Sequence, residues 1–129
     1  MSTIFTKIIN REISAQFVYE DEICVVIMDK FPVVQGQVLI IPKVEVDYFF
    51  NLDEETSLHL LSIMKKVTKS LDMTYHTLRT CVVIEGFEVP HAHIKLYPLT
   101  TIGFNMHGGK EADDETLGEE AERIKRALG

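Results

Sequence analysis

Glu88-Val89-Pro90-His91-Ala92-His93-Ile94-Lys95-Leu96-Tyr97 is the stretch on which the fold turns. From His91 onward ionisable and apolar residues alternate, the period-two pattern of a strand with two unlike faces. A strand over 91–97 puts His91, His93 and Lys95 on one face and Ala92, Ile94 and Leu96 on the other. Same-face neighbours in a strand stand about 6.5–7 Å apart, so one phosphate and its leaving group can touch two or three of them. Two other readings stay open at this point. A His-x-His pair can chelate a transition metal, though a site needs a third and usually a fourth ligand that no cysteine or carboxylate pattern supplies. The face can also be plain polar strand, open to solvent.

Working outward, a strand over 79–85 joins this one through Gly86-Phe87-Glu88-Val89-Pro90, where a bend is natural. Three more strands are expected over 16–20, 22–28 and 37–41, rich in Val, Ile, Tyr and Phe and broken by Asp29-Lys30-Phe31-Pro32 and Gln35-Gly36. Ile4, Phe5, Ile8 and Ile9, with Ile13 beyond, fit a short amphipathic helix ending near Asn10. Leu60, Ile63, Met64, Val67 and Leu71 recur at helical spacing, so 53–71 is expected as the longest helix. Its late lysines Lys65, Lys66 and Lys69 suit the negative end of the helix dipole. After a glycine-bearing loop over 100–110, Leu117, Ala121, Ile124 and Leu128 stripe a final helix over about 113–128, with Glu119–Arg123 and Glu122–Arg126 spaced for ion pairs. The whole reads as α+β, a mostly antiparallel sheet with flanking helices, in one domain over 1–129.

Composition narrows the function. The 129 residues, 46% hydrophobic and 26% charged, suit one domain with its own core. A net charge of -7, with no basic cluster beyond Lys65, Lys66 and Lys69, argues against nucleic acid as a partner. A small anion is still open, because it needs only a local pocket of donors. The apolar runs 38–42 and 81–84 are far shorter than the roughly 20 residues that cross a bilayer, so no membrane association is expected. Cys24 and Cys81 lie too far apart for a Cys-x-x-Cys motif and read as small buried hydrophobes. With no long apolar core at the N-terminus, a reducing cytoplasm is the expected location.

The triad stretch also resembles a known motif. His91-Ala92-His93-Ile94-Lys95-Leu96-Tyr97 is similar at every position but one to the His-φ-His-φ-His-φ-φ signature (φ apolar) of the histidine triad, or HIT, family. Ile4 to Ile13, then Val18-Tyr19-Glu20-Asp21, look like that family's N-terminal block, while Asp29, Pro32, Gly36 and Val38 to Lys43 match its central block in order and spacing. The likeness extends to about Pro98.

The resemblance implies a HIT-like fold, usually a homodimer, that hydrolyses or transfers nucleoside monophosphates from phosphoramidates or dinucleoside polyphosphates. The expected partner is thus a purine nucleotide or its conjugate, with no metal and no cofactor. Carried over by position, His93 is the nucleophile at the α-phosphorus, and the His91 carbonyl holds its Nδ1 proton. His91 and Lys95 complete the catalytic set, the His91 side chain and amides after Gly86 serving the phosphate oxygens. Phe5, Ile8 and Ile27 correspond to the base pocket, Asp29 to the acceptor for the ribose hydroxyls, and Gln37, Glu88 and Val89 join the substrate site. By pattern alone Phe5, Ile8 and Ile27 are plain core and Asp29 a turn former.

Four places depart from the family. Lys95 stands for the third histidine, Gln37 and Glu45 for two others, and the asparagine-glycine stretch before the triad is missing from 79–87. Lys95 matters most: a fixed cation can bind phosphate and keep His93 neutral, yet it is a poor proton donor at neutral pH. A catalytically weak nucleotide-binding or sensor module is therefore the alternative to a hydrolase or transferase.

Overall fold

The computed structural model describes residues 2–129. Five strands, β1 (Phe17–Glu20), β2 (Cys24–Met28), β3 (Val38–Pro42), β4 (Arg79–Val83) and β5 (Ile94–Leu99), form one sheet in the order β1-β2-β3-β5-β4. Every pairing is antiparallel. Three helices flank it: α1 (Ile4–Ile9), α2 (Glu54–Tyr75) and α3 (Asp114–Leu128). Each starts at a residue whose side chain accepts from a backbone amide of the first turn. Thr3 takes the amide of Thr6, Asp53 that of Thr56 and Asp113 that of Thr116, satisfying donors the helix cannot use itself.

Strand β2 is buried on both faces, and its odd and even residues go to different places. Cys24, Val26 and Met28 join Val38, Ile40, Ile94 and Leu96 in the main core beneath α2 and α3. Val25 and Ile27, with Leu39 and Ile41, face α1 and pack on Phe5 and Ile8. α2 and α3 are tied by Ser70 Oγ donating to the Ile124 carbonyl at 2.6 Å and by Tyr75 Oη donating to Glu120 at 2.7 Å.

Several expected details shift. β5 begins at Ile94, three residues late, because the preceding backbone bonds elsewhere: His91 N donates to Val89 O at 2.8 Å and Ala92 N to Val46 O at 2.7 Å. β2 starts at Cys24 because the Asp21 carboxylate accepts from the amides of Ile23 and Cys24 and holds 21–23 in a turn. α2 runs on to Tyr75 and is closed by His76 at φ 52°, so Lys65, Lys66 and Lys69 lie inside it and the dipole explanation fails. A 3-10 turn at Phe49–Asn51 was not expected. In α3 the expected pairs give way to Lys125–Glu122 at 2.9 Å, while Arg123 donates to the Thr74 carbonyl and lies over the Tyr75 ring. Among the described residues no helix is long and apolar enough to cross a membrane.

Candidate active site

Cross-strand register lines up Phe17, Ile27, Leu39, Lys95 and Val83, one residue per strand across the whole sheet, on the face that carries α1. Lys95 thus lies directly between Leu39 and Val83. Ile94 and Leu96 point the other way, into the main core. His93, two residues before Lys95, comes to the α1 side, where a cavity of about 440 Å³ opens.

Phe5 and Ile8 wall that cavity from α1, and Ile27 and Leu39 from the sheet. Asp29 lies at its β2 end, and Glu88 and Val89 come from the bend before the triad. His93 and Lys95 complete the side opposite the helix wall. Of the ten residues named from sequence, His91 and Gln37 do not line it.

Both of these act one layer back. Gln37 is 3% exposed; its Nε2 donates to Asp29 Oδ2 at 2.6 Å, and its Oε1 accepts from the Val33 amide. Asp29 Oδ1 accepts from the Phe31 amide at 2.8 Å, so turn geometry and Gln37 together orient the carboxylate. Gln37 is therefore a positioning residue for Asp29.

His91 is fully buried. Its Nε2 lies 2.8 Å from the Pro42 carbonyl, which can only accept, so Nε2 carries a proton. In the neutral ring Nδ1 then accepts from the Thr3 hydroxyl at 2.8 Å. Thr6 Oγ1 donates to Glu45, whose carboxylate also accepts from the Thr3 amide at 2.9 Å. With both nitrogens engaged, the His91 side chain is a buried strut instead of a phosphate contact. The three side chains do not share one surface as an unbroken strand would have made them.

The His91 backbone has a different task. Its carbonyl accepts from His93 Nδ1 at 2.8 Å, which puts the ring proton on Nδ1 and the lone pair on Nε2. Burial holds His93 below its ordinary value and the nearby Lys95 charge pushes the same way, against the His91 carbonyl bond. Phe5 sets its ring edge-on to His93, centroids 4.9 Å apart, and edge-on to His91 at 5.8 Å. Lys95 Nζ donates to Glu85 Oε1 at 3.1 Å, the two side chains only 14% and 17% exposed.

Sequence reasoning missed Thr3, Leu39, Glu85, Lys30 and Asp114. Thr3 carries a signal, a threonine just before an apolar helical run. Leu39 and Glu85 were within reach of alternation: Leu39 shares the face of Ile41, and Glu85 lies two residues beyond Val83, the last residue of β4 and the partner of Lys95. Lys30 and Asp114 meet at 2.7 Å on the cavity rim across 84 positions of sequence, and no local pattern announces that.

One group of metal-capable atoms occurs among the described residues, with Asp21, Cys24 and His59 offering atoms within 4.8 Å of one another. The Asp21 carboxylate is occupied there by two amides, by Tyr19 Oη and by His59, and burial pushes the Cys24 thiol up to about 12.

Comparison with known proteins agrees with this architecture. The fold is that of a HIT-like protein from Bartonella henselae involved in cell-cycle regulation, solved with an unknown ligand (TM-score 0.90, 27% identity, 98% of this chain and 96% of that one). In sequence the chain is 29% identical over 120 residues to a HIT-like protein of Borreliella burgdorferi, covering 87% of this chain and 86% of that one. It is 30% identical over 99 residues to an adenosine 5'-monophosphoramidase of Schizosaccharomyces pombe, covering 76% of this chain and 74% of that one. The sequence model of the HIT domain matches residues 10–101, and with that match the chain belongs to the HIT domain family.

Proposed function

We propose that this protein is a nucleotide hydrolase or nucleotidyltransferase acting at the α-phosphate of a nucleoside phosphoramidate or dinucleoside polyphosphate. The observation that carries the reading is the 2.8 Å bond from His93 Nδ1 to the His91 carbonyl, which presents Nε2 as a lone pair beside a nucleotide-sized cavity. Kinship with an adenosine 5'-monophosphoramidase supports the same reaction class.

In this reading a purine lies among Phe5, Ile8, Ile27 and Leu39, and Asp29 accepts from the ribose hydroxyls. His93 Nε2 attacks phosphorus while the bond to the leaving group breaks, giving a nucleotidyl-histidine that water or another acceptor resolves. Lys95 draws the phosphate toward His93, and amides of the bend after Gly86 meet the phosphate oxygens. The free cysteines Cys24 and Cys81 fit a reducing compartment such as the cytoplasm.

The Glu85–Lys95 pair favours a second reading, a nucleotide-binding module with little turnover, because it ties up the cation two residues from the nucleophile. Intact-protein mass spectrometry after mixing with an adenosine phosphoramidate separates the two. A nucleotidyl adduct lost in His93→Ala supports the enzyme. Saturable nucleotide binding with neither adduct nor product supports the module.

A further inference from the structure

His93 has a cavity on each side. The second, of about 410 Å³, shares His93 and Glu85 with the nucleotide cavity and is otherwise built from the segment around Asp47 and the bend after Gly86. We propose that it receives the leaving group and selects a primary amine that carries an aromatic or apolar body and a second positive charge. The assignment rests on His93 chemistry as proposed above and names the substrate class within it.

Three observations carry it. The two segments are locked together at the nucleophile: Ala92 N donates to Val46 O at 2.7 Å, so the residue before His93 is bonded to the residue before Asp47. Gly86, at φ 70°, lets the bend close on the same segment, the position of its absent Cβ lying 4.0 Å from Asp47 O.

The walls are aromatic and uncovered. Tyr48, Phe50 and Phe87 line the cavity while 60%, 73% and 90% exposed, and Phe50 meets Tyr48 edge-on with centroids 5.5 Å apart. Such a concentration of exposed rings at the mouth of a site is a surface prepared for an apolar ligand.

The charge of the lining has one sign. Asp47 and Glu85 line the cavity and no lysine or arginine does. Glu85 is matched by Lys95, whereas Asp47 enters no ion pair among the described residues. A polyphosphate leaving group brings negative charge onto these carboxylates. An ammonium is drawn to Asp47 and to the faces of the rings.

In the reaction, the bond from His93 Nε2 to phosphorus forms as the phosphorus–nitrogen bond to the amine breaks. The departing nitrogen takes a proton from water or from the Lys95 ammonium and leaves as the free amine. Water then splits the nucleotidyl-histidine, giving the nucleoside monophosphate and returning His93 and the proton.

Three adenosine 5'-phosphoramidates of nearly equal size test this, made from 4-(aminomethyl)benzylamine, 4-methylbenzylamine and 4-(aminomethyl)benzoic acid. At low salt kcat/KM is expected to fall in that order, cation over neutral over anion, with about 100-fold between the ends, and Asp47→Asn is expected to narrow that span about 10-fold. A flat ranking in the wild type, or a span untouched by Asp47→Asn, overturns the assignment. If the 4-nitrophenyl ester of AMP labels His93 while the three amides rank flat, the leaving-group cavity alone is wrong. If no substrate labels His93, the proposed chemistry fails and this inference with it. Phe50→Ser that changes the sedimenting mass instead of the ranking makes the aromatic surface a contact between copies, and overturns the inference too.

Discussion

Lys95 Nζ lies 3.1 Å from Glu85 Oε1, inside the wall that also carries His93. A histidine at 95 would sit beside the same carboxylate, which favours the imidazolium and so supplies a proton donor better matched to neutral pH than the lysine ammonium. Lys95→His is expected to speed turnover of amine-leaving substrates ~10- to 1000-fold, and to change a nitrophenolate-leaving substrate little. Single-turnover kinetics on both classes check it. Slower turnover of both would mark Lys95 as an adapted phosphate clamp.

His93 is held below its ordinary value by burial first and by Lys95 second. The neutral, attacking form therefore persists as pH falls past 6.5, and adduct formation should decline only on the acid side of that value. Lys95→Met removes one of the causes that lower it, so the decline should move toward higher pH. A pH profile of adduct formation with the nitrophenyl ester reads this directly; an acid limb that stays put or moves lower contradicts it.

Gln37 touches no part of the cavity yet donates to Asp29 at 2.6 Å. Gln37→Leu should free the carboxylate to rotate and weaken AMP binding by about 1 kcal/mol, less than the 1–3 kcal/mol expected for Asp29→Ala. Calorimetric titration of the two variants and the double variant tests the order. If the two losses simply add, the residues act independently and the positioning role falls.

Self-association is expected along the open β4 edge and the outer face of α2. The apolar stripes of α1 and α3 are not available for it, since Phe5, Ile8, Leu117, Ala121 and Ile124 are buried within the chain. What stays uncovered is Leu58, Leu61 and Met73 on α2 and Val82 on β4, beside an edge strand with unpaired backbone. Light scattering should report twice the 14.7 kDa chain mass, and Val82→Lys should lower it. A single chain mass in the wild type would end this expectation.

Much of this was legible in advance because its causes are local. Alternation over 91–97 set Ile94 and Leu96 against Lys95, and helical spacing with an acidic start located α2. Where the reading slipped, the competing contact came from far along the chain. The phosphate role of His91 was carried over from the family resemblance, but Thr3 and Pro42, 88 and 49 positions away, claim both its nitrogens. The end of α2 was read at Leu71, the last residue of its apolar spacing. Tyr75 continues the helix through a bond to Glu120, on an element 45 positions on.

The two-sided burial of β2 separates what substitutions in that strand can do. Val25 and Ile27 belong to the cluster around α1, and Ile27 is a wall of the cavity beside His93, whereas Val26 lies one position away among the side chains beneath α2 and α3. A methyl gained or lost at Ile27 acts on the room in that cavity, where the proposed function puts the base, and one at Val26 acts on how tightly the helices hold the sheet. Base preference and thermal tolerance can therefore drift independently in neighbouring codons, one strand serving as the partition between them.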